Sequence, residues 1–351
     1  MSQYWTDIVH QLDPYVPGEQ PQDQQYVKLN TNENPYPPSP KVVEAINTYD
    51  KDHLKLYPDP ESKKLCTALA QRFDVSVENI FIGNGSDEVL AHSFQAFFKQ
   101  AKSLLFPAIS YSFYPVYCSL YQIDYKPVPL DSEFKININD YAVENGGIIL
   151  PNPNAPTSLL MSLQDIETLC QRSSSVVIID EAYIDFGGES AAPLTKKYDN
   201  LLVIQTFSKS RSLAGLRLGF AVGHKDLIEG LVRIKNSFNS YPIDSLAQVA
   251  ALASLEDEPY FQQSCTKIIA TRNKLQLELT KLGFKVFDSS ANFVFVQHET
   301  IPAEKIYQSL KVSGVLVRYF NKPGIDNYLR ITVGTDNEID ILLEKLQALL
   351  N

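Results

Sequence analysis

Between residues 61 and 225 the chain alternates stretches of helical spacing with short, nearly continuous apolar runs at 80–82, 104–106, 147–150, 176–179, 201–205 and 220–222. A half-buried strand alternates apolar and polar side chains, whereas a strand covered on both faces is apolar throughout. Most of these runs are of the second kind. They predict an α/β fold with a mainly parallel sheet sandwiched by helices, and leave open which run is antiparallel. Upstream, Ser39 followed by Pro40 reads as the N-cap and first residue of a helix through Val42, Val43 and Ile46. Helical patterns continue at 225–236 and 244–281, the second long enough to bridge two domains.

The tail has a different rhythm. Runs at 292–296, 315–318 and 328–333 alternate better and are interleaved with helical patterns at 303–312 and 336–350. That predicts a smaller α+β domain with one sheet face open. Residues 1–30 hold a short helical pattern, Pro14, Pro17, Gly18 and a glutamine-rich stretch, which reads as an arm. The expected division is an arm at 1–30, a large domain at 31–240 and a small one at 241–351. A length of 351 residues suits two domains, since single cores stop growing near this size.

Charge and cysteine usage narrow the class. A formal net charge of −10 argues against nucleic-acid or anionic-membrane partners, both of which reward basic surfaces. Any anionic substrate must then be captured by particular arginines. Cys66, Cys118, Cys170 and Cys265 are far apart and lack metal-ligand spacing, so no metal is expected and free thiols of a reducing compartment are the plainer reading. The first residues show no basic region followed by an apolar run, and no segment approaches the ~20 apolar residues of a membrane span. A cytoplasmic location is expected.

Chemistry concentrates in Thr206-Phe207-Ser208-Lys209-Ser210-Arg211-Ser212-Leu213-Ala214-Gly215-Leu216-Arg217-Leu218-Gly219. A lysine at a strand end can form a Schiff base with an aldehyde cofactor, and an arginine with hydroxyls can hold a phosphate. Pyridoxal 5'-phosphate needs both. Asp180 ends the run at 176–179, 29 residues before the lysine, where a carboxylate could keep a pyridine nitrogen protonated. Gly83-Asn84-Gly85-Ser86-Asp87-Glu88 lies between an apolar run and a helical pattern, a setting in which backbone N–H groups bind anions. Each feature alone has a bland reading: a solvated lysine, a capping aspartate, a strand-to-helix turn. Their coincidence favours the cofactor.

These segments resemble the core of the fold-type I pyridoxal-phosphate-dependent aminotransferases. The resemblance implies that Lys209 forms the Schiff base and then moves a proton as general acid and base. It implies that Gly85, Ser86, Asp87, Thr206, Ser208 and Arg217 bind the phosphate end, and that Asp180 faces the pyridine nitrogen. Tyr183 would bond the phenolic oxygen and Tyr111 would stack on the ring. The family pattern places an asparagine before Pro-Thr-Gly, whereas this chain reads Pro153-Asn154-Ala155-Pro156-Thr157-Ser158. Asn154 is therefore the candidate donor one step earlier. Tyr57, in Leu56-Tyr57-Pro58-Asp59-Pro60, is similar to a tyrosine that reaches the cofactor phosphate of the other subunit, which implies a homodimer with shared active sites.

Leu29-Asn30-Thr31-Asn32-Glu33-Asn34-Pro35 and Leu329-Arg330-Ile331-Thr332-Val333-Gly334 extend the resemblance to the branch acting on histidinol phosphate. That branch exchanges an amino group between L-histidinol phosphate and 2-oxoglutarate, with glutamate as product. Arg330 and Arg318 would bind the oxyanions and Tyr15 would cover the imidazole. Alternatives are an aromatic aminotransferase, an O-phospho-amino-acid decarboxylase, or a non-catalytic pyridoxal-phosphate-binding regulatory module. For the last, residues 1–30 are too short and acidic to be a DNA-binding segment.

Overall fold

The computed structural model describes residues 2–350; Met1 and Asn351, the outer ends of the arm and tail, lie outside it. Twelve strands occur in chain order: β1 Val27–Leu29, β2 Ile80–Asn84, β3 Leu104–Pro107, β4 Tyr125–Val128, β5 Gly147–Pro151, β6 Val177–Asp180, β7 Leu201–Thr206, β8 Leu218–Gly223, β9 Phe284–Val286, β10 Phe293–His298, β11 Val315–Tyr319 and β12 Leu329–Thr332. Seven form a large sheet in the order β2-β8-β7-β6-β5-β3-β4. Strands β5, β6 and β7 are buried at every residue, as expected of strands covered on both faces.

Only β8 runs against the rest, antiparallel to both β2 and β7. Two reversals cancel, so β2 points the same way as β7. The carboxyl ends of β2, β3, β5, β6 and β7 therefore open on one edge, the usual place for a ligand crevice in an α/β sheet. Strand β4 is absent from the hydrophobic pattern because its first three residues are exposed. Pro127 sits in it without penalty because β4 is an edge.

The remaining five strands form a second sheet, β1-β11-β12-β10-β9, in which β1 is parallel to β11 and the others are antiparallel. Val294, Val296, Val315, Val317, Leu329 and Ile331 face a core shared with helices Ala303–Val312 and Asp336–Leu350. By strand alternation the intervening residues, Phe293, Phe295, Arg318, Arg330 and Thr332, occupy the other face. That face is turned towards the large sheet's crevice rather than left open. The 244–281 pattern is two helices, Ser245–Leu255 and Glu258–Lys281. Pro259 starts the second, and the chain breaks at Asp257, whose carboxylate accepts from Ser39 Oγ at 2.5 Å.

The end of the presumed arm is structural. Val27, Lys28 and Leu29 pair with Val315, Leu316 and Val317, and Leu29 is 1% exposed within the second core. A three-residue strand carries too little periodicity to be legible by itself. Leu29→Ala should cost about 2–5 kcal/mol of stability in chemical denaturation, as for other truncated core leucines. A change near zero would return this segment to a loosely held arm.

Candidate active site

One cavity of about 700 Å³ lies between the carboxyl edge of the large sheet and the inner face of the small one. Its walls include Lys209, Asp180, Tyr183, Ser86, Asp87, Tyr111, Thr206, Ser208, Arg217, Arg318, Arg330 and Tyr15. Twelve of the fifteen residues picked out from the sequence thus meet in one place. Gly85 lies immediately behind the wall: with φ +81, a Cβ there would come within 2.5 Å of the Arg217 guanidinium. Asn154 and Tyr57 do not line the cavity.

Asp180 closes β6 at the cavity floor. It is 5% exposed, and its Oδ2 accepts from Tyr114 Oη at 3.0 Å while Oδ1 accepts from the Ala182 N–H at 3.3 Å. Burial pushes its pKa up to about 6. Neither partner is a cation, so the buried carboxylate lacks a counter-charge. A protonated ring nitrogen is the kind of group that would supply one. Tyr114 is fully buried in the main core, and nothing in its local sequence marks it as a functional residue.

At the other end stands an anion cradle. Helix Gly85–Ser93 begins at β2's carboxyl end, and its first turn, with Ser86 and Asp87, lines the cavity, a setting in which free backbone N–H groups bind anions. Arg217, left-handed at φ 51, pairs with Asp87 Oδ2 at 2.8 Å and approaches Ser208 Oγ at 3.5 Å. Asp87 also accepts from Tyr111 Oη at 2.8 Å. Asp87 therefore orients a cation and an aromatic wall. Thr206 Oγ1 donates to the Leu218 carbonyl and accepts from the Ser208 N–H, fixing the turn that presents Lys209.

Lys209 Nζ lies 3.3 Å from the Thr31 carbonyl and 5.8 Å from the Tyr183 ring centre. Its amine is thus held between the floor and the segment following β1. Across the cavity, Arg330 and Arg318 are direct partners on β12 and β11. Like charges opposite each other on adjacent strands are destabilising. Arg330 Nη2 donates to the Asn30 carbonyl at 2.9 Å, but its buried Nε has no partner. Burial lowers its pKa. Both guanidiniums pack on Phe320, each 5.7 Å from the ring centre. The pair has the form of an oxyanion receptor. Tyr15 stacks on Phe113 at 4.7 Å and roofs the cavity.

The side chain of Asn154 turns away. Its Nδ2 donates to the Ile109 carbonyl at 3.0 Å and to Thr157 Oγ1 at 2.9 Å, and Ala155 takes the wall position. Tyr57 is 82% exposed and stacks on Tyr241 at 4.7 Å. The fit to pyridoxal phosphate is otherwise close: an amine, an unneutralised buried carboxylate and an anion cradle share one cavity.

The chain matches the family described as aminotransferase class I and II over residues 24–346. It is 59% identical to histidinol-phosphate aminotransferase 1 of Hydrogenovibrio crunogenus, covering 100% of this chain and 99% of the relative. It is 54% identical to histidinol-phosphate aminotransferase of Clostridium beijerinckii, covering 100% and 98%. The fold is similar to that of histidinol-phosphate aminotransferase from Sinorhizobium meliloti solved with pyridoxal-5'-phosphate, with a TM-score of 0.89, 22% identity and 99% of each chain covered.

Two adjacent carboxyls give the cofactor-free protein a characteristic pH response. Burial raises Asp180 to about 6 and Glu181, which accepts from Ser190, Ala191 and Gln205, to about 7. Between about pH 4 and those values the native state holds protons that the unfolded chain has released, so stability falls as pH rises, on the order of 3 kcal/mol for each group. Urea denaturation of the cofactor-free protein should show this fall. Asp180→Asn and Glu181→Gln should each flatten it. Unchanged slopes in both variants would mean that neither carboxyl is held protonated by burial.

Proposed function

The chain belongs to the class I and II aminotransferase family, and from that membership we propose that it moves the amino group between L-histidinol phosphate and 2-oxoglutarate. The products are imidazole acetol phosphate and L-glutamate, a step of L-histidine biosynthesis. Pyridoxal 5'-phosphate, when bound, supplies an aldehyde carbon that condenses with amines and a ring that withdraws electrons from the carbon being deprotonated.

Asp180 would keep the cofactor's ring nitrogen protonated, and Tyr114 fixes its carboxylate through a hydrogen bond to Oδ2. Arg217, Ser208, Ser86 and Gly85 would hold the phosphate, with Thr206 fixing the turn that presents Ser208 and Asp87 acting through Arg217 and Tyr111. Tyr111 would stack on the cofactor ring. Lys209 Nζ is the amine that would hold the aldehyde end of the cofactor, and it would serve as the acid and base for the proton of the substrate's amine-bearing carbon. Tyr183 would donate its hydroxyl proton to the cofactor's phenolic oxygen. Burial of the cavity floor strengthens each of these electrostatic contacts.

The observation that carries the substrate assignment is the opposed pair Arg318 and Arg330. The two substrates differ in size and ring content but share an oxyanion at one end, a phosphate in one and a carboxylate in the other. Two guanidiniums on one sheet face suit both. Tyr15, stacked above on Phe113, then covers the imidazole.

The active assembly is a dimer. Leu54, Leu56, Tyr57, Phe238 and Tyr241 are all exposed, and apolar patches of this kind support association with a second copy. From there Tyr57 reaches the partner's cofactor phosphate. The enzyme works in the cytoplasm, an assignment supported by its four free, buried cysteines.

Lys209→Ala should lose the visible absorbance of the lysine-bound cofactor, lose its response to borohydride, and fall by several orders of magnitude in turnover. Near-normal turnover would remove Lys209 from the reaction. Arg330→Ala should lower kcat/KM for both substrates by roughly 30-fold to several thousand-fold, the cost of a lost charge-assisted contact of about 2–5 kcal/mol. Arg330→Lys should recover little, because an ammonium lacks the planar fork. An effect on one substrate alone would divide the two oxyanions between different residues.

Sharing of the site is separable from chemistry. A mixed dimer of Tyr57→Phe and Lys209→Ala chains should hold one intact site and one doubly damaged site, giving about half the wild-type activity. Activity at half that of the Tyr57→Phe homodimer would show that each chain uses its own Tyr57.

A further inference from the structure

Asn32 is 1% exposed, lines the cavity and adopts φ 57, a left-handed conformation that asparagine tolerates. Its contacts join both sheets. Its N–H donates to Thr332 Oγ1 at 3.0 Å, and Thr332 Oγ1 gives its single proton to Asn32 Oδ1 at 3.0 Å. The Asn32 carbonyl accepts from Asn292 Nδ2 at 3.0 Å. These bonds settle which way the amide faces, since turning it over would leave the Thr332 proton without an acceptor. Nδ2 is thereby directed at Tyr183 Oη, 3.0 Å away.

A phenol that accepts a hydrogen bond keeps its own proton for another acceptor, and the accepted bond makes it a better donor. Among the described residues no acceptor takes the Tyr183 proton. The ring is fixed edge-on against Phe293 at 5.0 Å, so the hydroxyl has little freedom to turn elsewhere. The charged groups facing it are Lys209, 5.8 Å from the ring centre, and Arg330, neither of which is an acceptor. The wall that Asn154 vacates is Ala155, which offers no side-chain donor.

We propose that Asn32 is a positioning residue of the reaction, which by donating to the Tyr183 oxygen reserves the phenol proton for the cofactor's phenolic oxygen. The inference rests on the function proposed above. It gives the segment after β1 a role in tuning the cofactor, and it ties that tuning to β12, where Thr332 lies two residues from Arg330.

The test is the pH titration of the holoenzyme's visible chromophore, read without substrate. A donor to the phenolic oxygen stabilises the deprotonated chromophore, so Tyr183→Phe should raise its apparent pKa. Asn32→Ala should raise it in the same direction by about 0.5–1, the worth of one net hydrogen bond. The double variant Asn32→Ala/Tyr183→Phe should match Tyr183→Phe alone, because Asn32 acts through the phenol. Thr332→Val, close in volume, should give a smaller rise by freeing the amide, and it decides the matter if Asn32→Ala yields no folded holoenzyme. A wild-type titration in Asn32→Ala, or fully additive effects in the double variant, would overturn the proposal. An unmoved Tyr183→Phe would overturn it at an earlier point, by removing the role of Tyr183 itself.

Discussion

Charge that the chain does not neutralise for itself governs this site. Asp180 is a buried carboxylate whose partners are a phenol and an amide, and Arg330 is a guanidinium whose Nε is buried and unpartnered. Desolvating such groups costs several kcal/mol apiece, and hydrogen bonds to neutral partners offset only part of that. They stand on opposite sides of one cavity. A cationic ring nitrogen would relieve the first, and a substrate oxyanion would relieve the second together with the repulsion between Arg318 and Arg330. The cavity is therefore more stable filled than empty, with its selectivity written in the signs of these charges.

The sheets make that arrangement possible. Reversal of β8 leaves β2 parallel to β7, so the anion-binding helix and the lysine turn emerge on the same edge. Alternation on β11 and β12 puts aliphatic side chains into the second core and arginines towards the crevice. The segment 30–32 runs between the two, and its three successive carbonyls accept from Arg330, Lys209 and Asn292. The groups that would hold substrate and carry the proton are thus hydrogen-bonded to one short stretch of backbone, and Asn32 in that stretch donates its side-chain amide to Tyr183.

Much of this was legible in the sequence because strong local signals coincide with function. The lysine turn, the glycine-led helix and the aspartate closing β6 each follow an apolar run, and the sheet brings their ends together. What stayed hidden lacked such a signal. Tyr114 reads as a core aromatic, and only tertiary contact shows it aimed at Asp180. Asn154 was the candidate donor by resemblance to the family pattern, yet the backbone there turns its amide to Ile109 and Thr157. Asn32 lies about 150 residues from Tyr183 in the chain, so no local pattern links them. Strands β1 and β4 are too short or too exposed for periodicity to register.

Substrate identity is where the charge argument meets its sharpest demand, since two guanidiniums side by side should favour a donor with a dianionic phosphate over one with a single carboxylate. The direct measurement is kcat/KM of the holoenzyme for L-histidinol phosphate and for L-phenylalanine, each with 2-oxoglutarate as acceptor. A strong preference for histidinol phosphate is predicted, and it should weaken in Arg330→Ala. A wild-type enzyme that prefers phenylalanine would contradict the account, because the paired guanidiniums would then not favour a dianionic phosphate over a carboxylate.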